Sequence, residues 1–203
     1  MYTENQLREI KIGQEKGINT KLYELPAYTW RQMKEIRLGL EKGIDVSIYA
    51  NLQYNDEQMA EMRQGIENNI DINLYASPDF NYLQMFEIRD GLQSGLDAKI
   101  YANPKFTYIQ MSFIKLGLKN GLNAEKYANP ELNIEQMSEI YKGLNQKIDT
   151  DKYNSPEFSA KQMKQIRKGI KQKIDTSIYA NPEIDAATMK TIRKSLYTKI
   201  QNS

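Results

Sequence analysis

The chain has 203 residues, 40% of them hydrophobic and 27% charged, with 28 basic against 26 acidic side chains and a mean hydropathy of −0.70. That balance excludes a disordered tail, and no apolar run approaches the roughly 20 residues that span a bilayer. Cysteine and histidine are both absent, which excludes disulfides and thiolate metal sites and removes the commonest general base and metal ligand, so neither a metal nor a cofactor is expected.

The first predicted element starts after Thr3, whose hydroxyl is placed to cap a helix, with Gln6 three residues on completing a capping box. Ahead of it, MYTENQLREI carries neither the basic nor the apolar region of a secretory signal, and a reducing, cytoplasmic compartment is expected. The same start then recurs every 26 residues at Thr29, Asn55, Asn81, Thr107, Asn133, Ser159 and Asp185. A glutamine follows each cap by three residues except in the last copy, which has Thr188. The residue before each cap is Tyr2, Tyr28, Tyr54, Phe80, Phe106, Leu132, Phe158 or Ile184, an apolar side chain able to staple onto the first turn.

In the second copy the predicted helix runs about 13 residues from the Thr29 cap, with Met33, Ile36 and Leu40 on an inward stripe. Gly43 stops it, as Gly17, Gly95 and Gly121 do elsewhere; Asn69 does the same, and Lys147, Lys173 and Lys199 do so at some cost. A short helix follows, capped by Asp45 or its equivalents, to which Ile44, Ile48 and Tyr49 contribute apolar contacts; it ends near Tyr-Ala-Asn, and in later copies a proline follows. Gly39 and its equivalents fall mid-helix, which predicts a neighbouring backbone too close for a Cβ. Tyrosines at 23, 49, 75, 101, 127, 153 and 179 and methionines at 33, 59, 85, 111, 137, 163 and 189 keep the period without one insertion. The methionine file is expected to be core filling rather than a binding feature. The basic file of Lys11, Arg37, Arg63, Arg89, Lys115, Arg167 and Arg193 is expected to bond a neighbouring repeat's carboxylate or helix-end carbonyls rather than track phosphates.

A helix pair of this size cannot bury its apolar face alone, and stacked copies can. The expected fold is therefore all-α: an α-solenoid of eight long and seven short helices in one domain over 1–203, with a half-repeat at 1–17 and seven periods of 26 residues. The pattern QM-x-E-I-R-x-G-L-x-x-G-[IL]-D followed by Tyr-Ala-Asn-Pro, cleanest at Met33-Lys34-Glu35-Ile36-Arg37-Leu38-Gly39-Leu40, resembles a degenerate helical repeat of low-GC Gram-positive bacteria and their phages and mobile elements. The resemblance covers essentially the whole chain, implies the helical-repeat fold and carries no activity with it.

Shared letters build the scaffold, so function is sought where copies differ at outward positions. Relative to Met33, Ile36 and Leu40, the equivalents of 31, 34, 35, 38 and 42 are expected to face outward. In the fourth helix these include Leu83 and Phe86, flanked by Tyr82; in the fifth, Ile109, Phe113 and Leu116, flanked by Tyr108. Such an apolar patch predicts a protein partner, either a host or defence complex or a second copy in a homodimer. Charge is also uneven: 11 basic and 16 acidic residues precede position 101, and 17 and 10 follow. Lys161, Lys164, Lys168 and Lys171 crowd one helix, Lys190 and Lys194 the next, and Lys142, Lys168 and Lys194 form a file, which together are either an anion-binding stripe or a solvated face. No G-x-G-x-x-G, Walker loop, G-x-S-x-G or H-E-x-x-H occurs, and Asp56, Glu57 and Glu61 are spaced like ordinary surface charges, so an enzyme is not expected. The expected function is non-enzymatic protein binding. Given the mobile-element resemblance, one version is an anti-CRISPR-like inhibitor of a bacterial defence complex. The alternative is nucleic-acid binding through the basic stripe, or mimicry by the acidic half; no membrane partner is expected.

Overall fold

A computed structural model of the chain describes residues 1–202. These contain eight α-helices, six short 3-10 helices and no strand. The backbone forms two compact units, Met1–Pro104 and Lys105–Ser203. The first holds α1 (Glu4–Glu15), α2 (Trp30–Glu41), α3 (Asp56–Glu67) and α4 (Tyr82–Gln93); the second holds α5 (Tyr108–Lys119), α6 (Ile134–Asn145), α7 (Ala160–Lys171) and α8 (Ala186–Gln201). Within each unit consecutive α-helices pack on one another, the arrangement of an α-solenoid.

Each helix starts where its cap requires. Thr3, Thr29, Asn55, Asn81, Thr107, Asn133 and Ser159 all accept from the N3 amide while the N3 glutamine reaches back to the cap's own N–H. Each such cap is worth about 1 kcal/mol. The glutamine does a second job. Its Nε2 donates to carbonyls that lead into the next helix, as Gln58 does to Phe80 at 2.6 Å and Gln136 to Phe158 at 2.7 Å. The stapling tyrosines also reach forward, Tyr28 Oη donating to the Ala50 carbonyl at 2.7 Å and Tyr54 Oη to that of Ala76 at 3.0 Å. Asp185 caps α8 through the amides of Ala187 and Thr188.

The core is the predicted file. Met33, Met59, Met85, Met111, Met137, Met163 and Met189 are fully buried, as are Tyr23, Tyr49, Tyr75, Tyr101, Tyr127, Tyr153 and Tyr179. A side chain of this size contributes roughly 1.5–3 kcal/mol when buried. In the first copy Leu7 takes the methionine slot and is half exposed.

Four expectations change. The mid-helix glycines do not make room for a neighbouring backbone; they make room for the tyrosine ten residues on in the same copy. A Cβ on Gly39 would overlap the Tyr49 hydroxyl and meet Val46 Cγ1 at 2.9 Å, and five further glycines are crowded by a tyrosine in the same way. Every hydroxyl of the tyrosine file but that of Tyr127 donates to a carbonyl on the long helix 14 residues earlier, at 3.1 Å for Tyr23 to Glu9 and 3.2 Å for Tyr101 to Glu87. Second, Ile48 is 47% exposed, and Val46, at 4%, supplies the short helix's apolar contact. Third, six short 3-10 helices form rather than seven: the stretch from Thr150 closes only as a turn, the Tyr153 amide donating to the Thr150 carbonyl at 3.0 Å. Fourth, Lys199 lies within α8, which runs on through its 16 residues. The other expected stops do take a left-handed backbone, including Asn69, Lys147 and Lys173 at φ 57°, 55° and 58°.

Candidate functional site

Around the buried file runs a second one, built of charge. Arg37 Nε donates to Glu9 at 2.8 Å and its Nη1 to Glu41; Arg63 bonds Glu35 at 2.9 Å and Glu67 at 2.5 Å; Arg89 bonds Glu61 at 2.8 Å; Arg167 bonds Glu139 at 2.8 Å. The bonds to Glu9, Glu35, Glu61 and Glu139 join an arginine to a glutamate 28 residues earlier, on the preceding helix, whereas Glu41 and Glu67 lie one turn further along the arginine's own helix. The basic file therefore has the structural role expected of it at these positions. Losing one member of such a buried pair leaves the other charge without compensation, which costs far more than the pair gains over apolar packing. Burial raises the Glu139 pKa, but bonds from Lys142 and Arg167 outweigh it and hold the carboxyl below its ordinary value.

This file corrects the helical wheel. Equivalents of residue 35 were expected outside, yet Glu9, Glu87 and Glu139 are 6–8% exposed. The position borders the apolar stripe, and the next helix folds over it. Phe113 occupies this slot in the fifth copy and is accordingly not an open surface residue. Its ring packs against Tyr127 at 5.9 Å and Tyr141 at 5.5 Å between centroids. Tyr141 is the residue 28 further on, where other copies have arginine or lysine. Between α5 and α6 an aromatic pair thus replaces the ion pair, both partners changing together. The short helix Ala124–Tyr127 packs against both α5 and α6. Tyr127 loses the hydrogen bond made by other file tyrosines: its buried hydroxyl has no partner among the described residues.

The remaining apolar candidates are placed as expected, each on its own unit. On α4, Tyr82 and Phe86 are 36% and 40% exposed, with Leu83 half-buried beside them. The Arg89 guanidinium lies 5.4 Å from the Phe86 ring centre, a cation–π contact that orients the ring without covering it. On α5, Tyr108, Ile109 and Leu116 are 40%, 49% and 45% exposed. The corresponding positions elsewhere are mostly polar or charged, for example Arg31, Glu57 and Lys161 where α5 has Ile109.

Among the lysines, Lys161, Lys164, Lys168, Lys171, Lys190 and Lys194 are exposed and have no carboxylate partner among the described residues. Lys142 differs: its ammonium is bound to Glu139 at 2.7 Å, so it belongs to the ion-pair file as much as to the stripe. Burial, then the charges of Lys164, Arg193, Arg167 and Lys190, hold the Lys168 pKa below its ordinary value. Among the described residues no group of three or more acidic side chains could hold a metal, and no helix is long and apolar enough to cross a membrane.

A carboxylate on a neighbouring repeat was expected for the basic file, but not that it would be the glutamate 28 residues earlier, although the signal is present: the two files run 28 apart, and Phe113 with Tyr141 break both in concert. No protein-family model, no curated protein and no solved structure matches the chain.

Proposed function

We propose that the chain is a non-enzymatic helical-repeat binding protein, and that the exposed apolar residues of α4 in one unit, and those of α5 in the other, each seat a protein partner. The observation that carries this reading is the exposure of Tyr82 and Phe86 on α4 and of Tyr108, Ile109 and Leu116 on α5. The scaffold has no use for them there, since other copies fold with polar residues at most of these slots. Large apolar and aromatic side chains held on rigid helices lose little entropy on docking and form the centres of protein interfaces. A host or defence complex and a second copy of the chain both fit this chemistry. The version in which the partner is a bacterial defence complex, inhibited as an anti-CRISPR protein would inhibit it, follows from the repeat's resemblance to those of phages and mobile elements.

The test compares wild type with Phe86→Asp and Ile109→Asp/Leu116→Asp, by affinity capture from host lysate and by sedimentation velocity. Phe113 is left intact because it supports the fold. The expected result is loss of a captured protein or of self-association, with an unchanged helical circular dichroism spectrum. Variants that fold and keep every partner and the same oligomeric state refute the proposal.

A further inference from the structure

Followed along the chain, the buried arginines lose their carboxylates. Arg37 and Arg63 each have two, Glu9 with Glu41 and Glu35 with Glu67. Arg89 keeps Glu61, its other neighbour being Gln93; Arg167 keeps Glu139, its other neighbour being Gln146. Arg193 has none. Its Nε donates to Gln165 at 3.2 Å and its Nη1 to Gln172 at 2.6 Å, both neutral amide oxygens. Yet Arg193 is only 7% exposed, as deeply placed as Arg37. A guanidinium at that depth keeps its charge, and a buried charge without a counter-charge is expensive.

Arg193 lines a groove of about 510 Å³ between α7 and α8, with Lys168, Lys171, Gln172, Lys173 and Tyr197. A groove of about 490 Å³ lies between α1 and α2, six periods earlier, and shares with it the positions of Gln172, Lys173 and Tyr197. There the Tyr197 position is Glu41, whose carboxylate is held by Lys16 at 2.6 Å and by Arg37. The N-terminal groove thus carries its own anion, and Glu15, at the position of Lys171, is acidic where the C-terminal copy is basic. The C-terminal groove has a guanidinium without a counter-charge in its wall and three lysines at its rim.

We propose that the groove between α7 and α8 is a phosphate-binding site, in which a phosphate group replaces the missing carboxylates against Arg193 and Lys168 and Lys171 hold it from the rim. The planar fork of arginine matches phosphate oxygens as well as it matches a carboxylate. The lysines favour an anion with more than one negative charge, which a phosphate supplies. This inference is independent of the apolar faces of α4 and α5, and either can fail without the other.

The decisive variant is Gln165→Glu, which restores the carboxylate that Arg37, Arg63, Arg89 and Arg167 already have and so preserves the fold. Lys171→Gln, at the exposed rim, is the second. Inorganic phosphate is titrated by calorimetry, and a short fluorescent oligodeoxythymidine by anisotropy at about 50 and about 200 mM salt. Phosphate binding to wild type that weakens about tenfold or more in Gln165→Glu, and several-fold in Lys171→Gln, is the expected result. If the oligonucleotide shows the same losses and a steep salt dependence, the phosphates are those of a nucleic-acid backbone; if inorganic phosphate alone responds, the ligand is a small phosphate. Absence of phosphate binding to wild type, or binding unchanged by Gln165→Glu, overturns the site.

Discussion

Replacing Gly39 with alanine separates two readings of the mid-helix glycines that differ in sign. If the glycine were a helical weak point, alanine would stabilise α2 by about 1 kcal/mol. The geometry dictates the opposite. The new methyl would overlap the Tyr49 hydroxyl, meet Val46 Cγ1 at 2.9 Å and meet Tyr49 Cζ at 3.2 Å. Tyr49 is fully buried and cannot swing into solvent. Forcing the ring aside costs about 1–3 kcal/mol in overpacking, and parting its hydroxyl from the Glu35 carbonyl at 3.3 Å costs about 1–3 kcal/mol more. Less the helical gain, the expected net loss is about 3 kcal/mol, read from urea unfolding followed by circular dichroism. Tyr49→Phe removes the atom that clashes, so Gly39→Ala/Tyr49→Phe should be more stable than the sum of the single losses by about 2 kcal/mol. Strict additivity, or a stabilised Gly39→Ala, would refute the pairing of each glycine with its own tyrosine.

The charged and aromatic versions of the cross-helix pair should be interchangeable only as pairs: Phe113→Glu alone is expected to cost about 2 kcal/mol or more, and Phe113→Glu/Tyr141→Arg to recover most of it, in the same unfolding assay. Arg37→Met should destabilise by about 3–5 kcal/mol, because it leaves the buried Glu9 without its cation and Glu41 with Lys16 alone. At alkaline pH the tyrosine file sets a limit. Burial pushes the Tyr23 and Tyr179 hydroxyls up to about 12, while unfolded tyrosine ionises near 10. Because the folded value is raised, this stability is fully present below about pH 10 and is lost as pH rises through the folded value; absorbance near 295 nm should show the buried tyrosines ionising together with loss of helix rather than before it. At the acid end Glu41 and Glu139 are held below the ordinary carboxylate value against the opposing effect of burial, so their contribution is present above about pH 4 and fades as pH falls through the lowered values, visible as a drop in thermal midpoint that Glu139→Gln blunts.

What the sequence disclosed well was local. A cap, its glutamine and its staple lie within one turn of each other, so their spacing alone predicted the starts of the long helices. The methionine and tyrosine files were equally legible, because a period of 26 admits few ways to bury the same residue in every copy. What it disclosed poorly depends on a neighbour that a single-helix projection does not contain. Glu35 lies just off the apolar stripe of its own helix and reads as outward until α3 brings Arg63 over it. Phe113 reads as a surface anchor for the same reason, and only Tyr141, on the following helix, shows it to be internal. The glycine positions were found, but their cause was assigned to a backbone rather than to a ring ten residues downstream. Tyr82, Phe86, Ile109 and Leu116 read as outward from the wheel of their own helix alone, and they are exposed.

The two-handed glutamine at the start of every long helix but the last bears on how such a chain can change over generations. With one hand on its own amide and the other on the carbonyls that lead into the following helix, it acts as a ruler between one start and the next. A residue gained or lost within a period would pull that carbonyl out of reach and send the mismatch into every later copy. Length drift is therefore suppressed, and diversity must come from exchanging side chains at fixed addresses. That is the pattern seen: eight copies without an indel, differing by single letters such as Glu to Phe at 113 and Glu to Gln at 165, each of which rewrites the chemistry of one groove and leaves the spacing of the rest untouched.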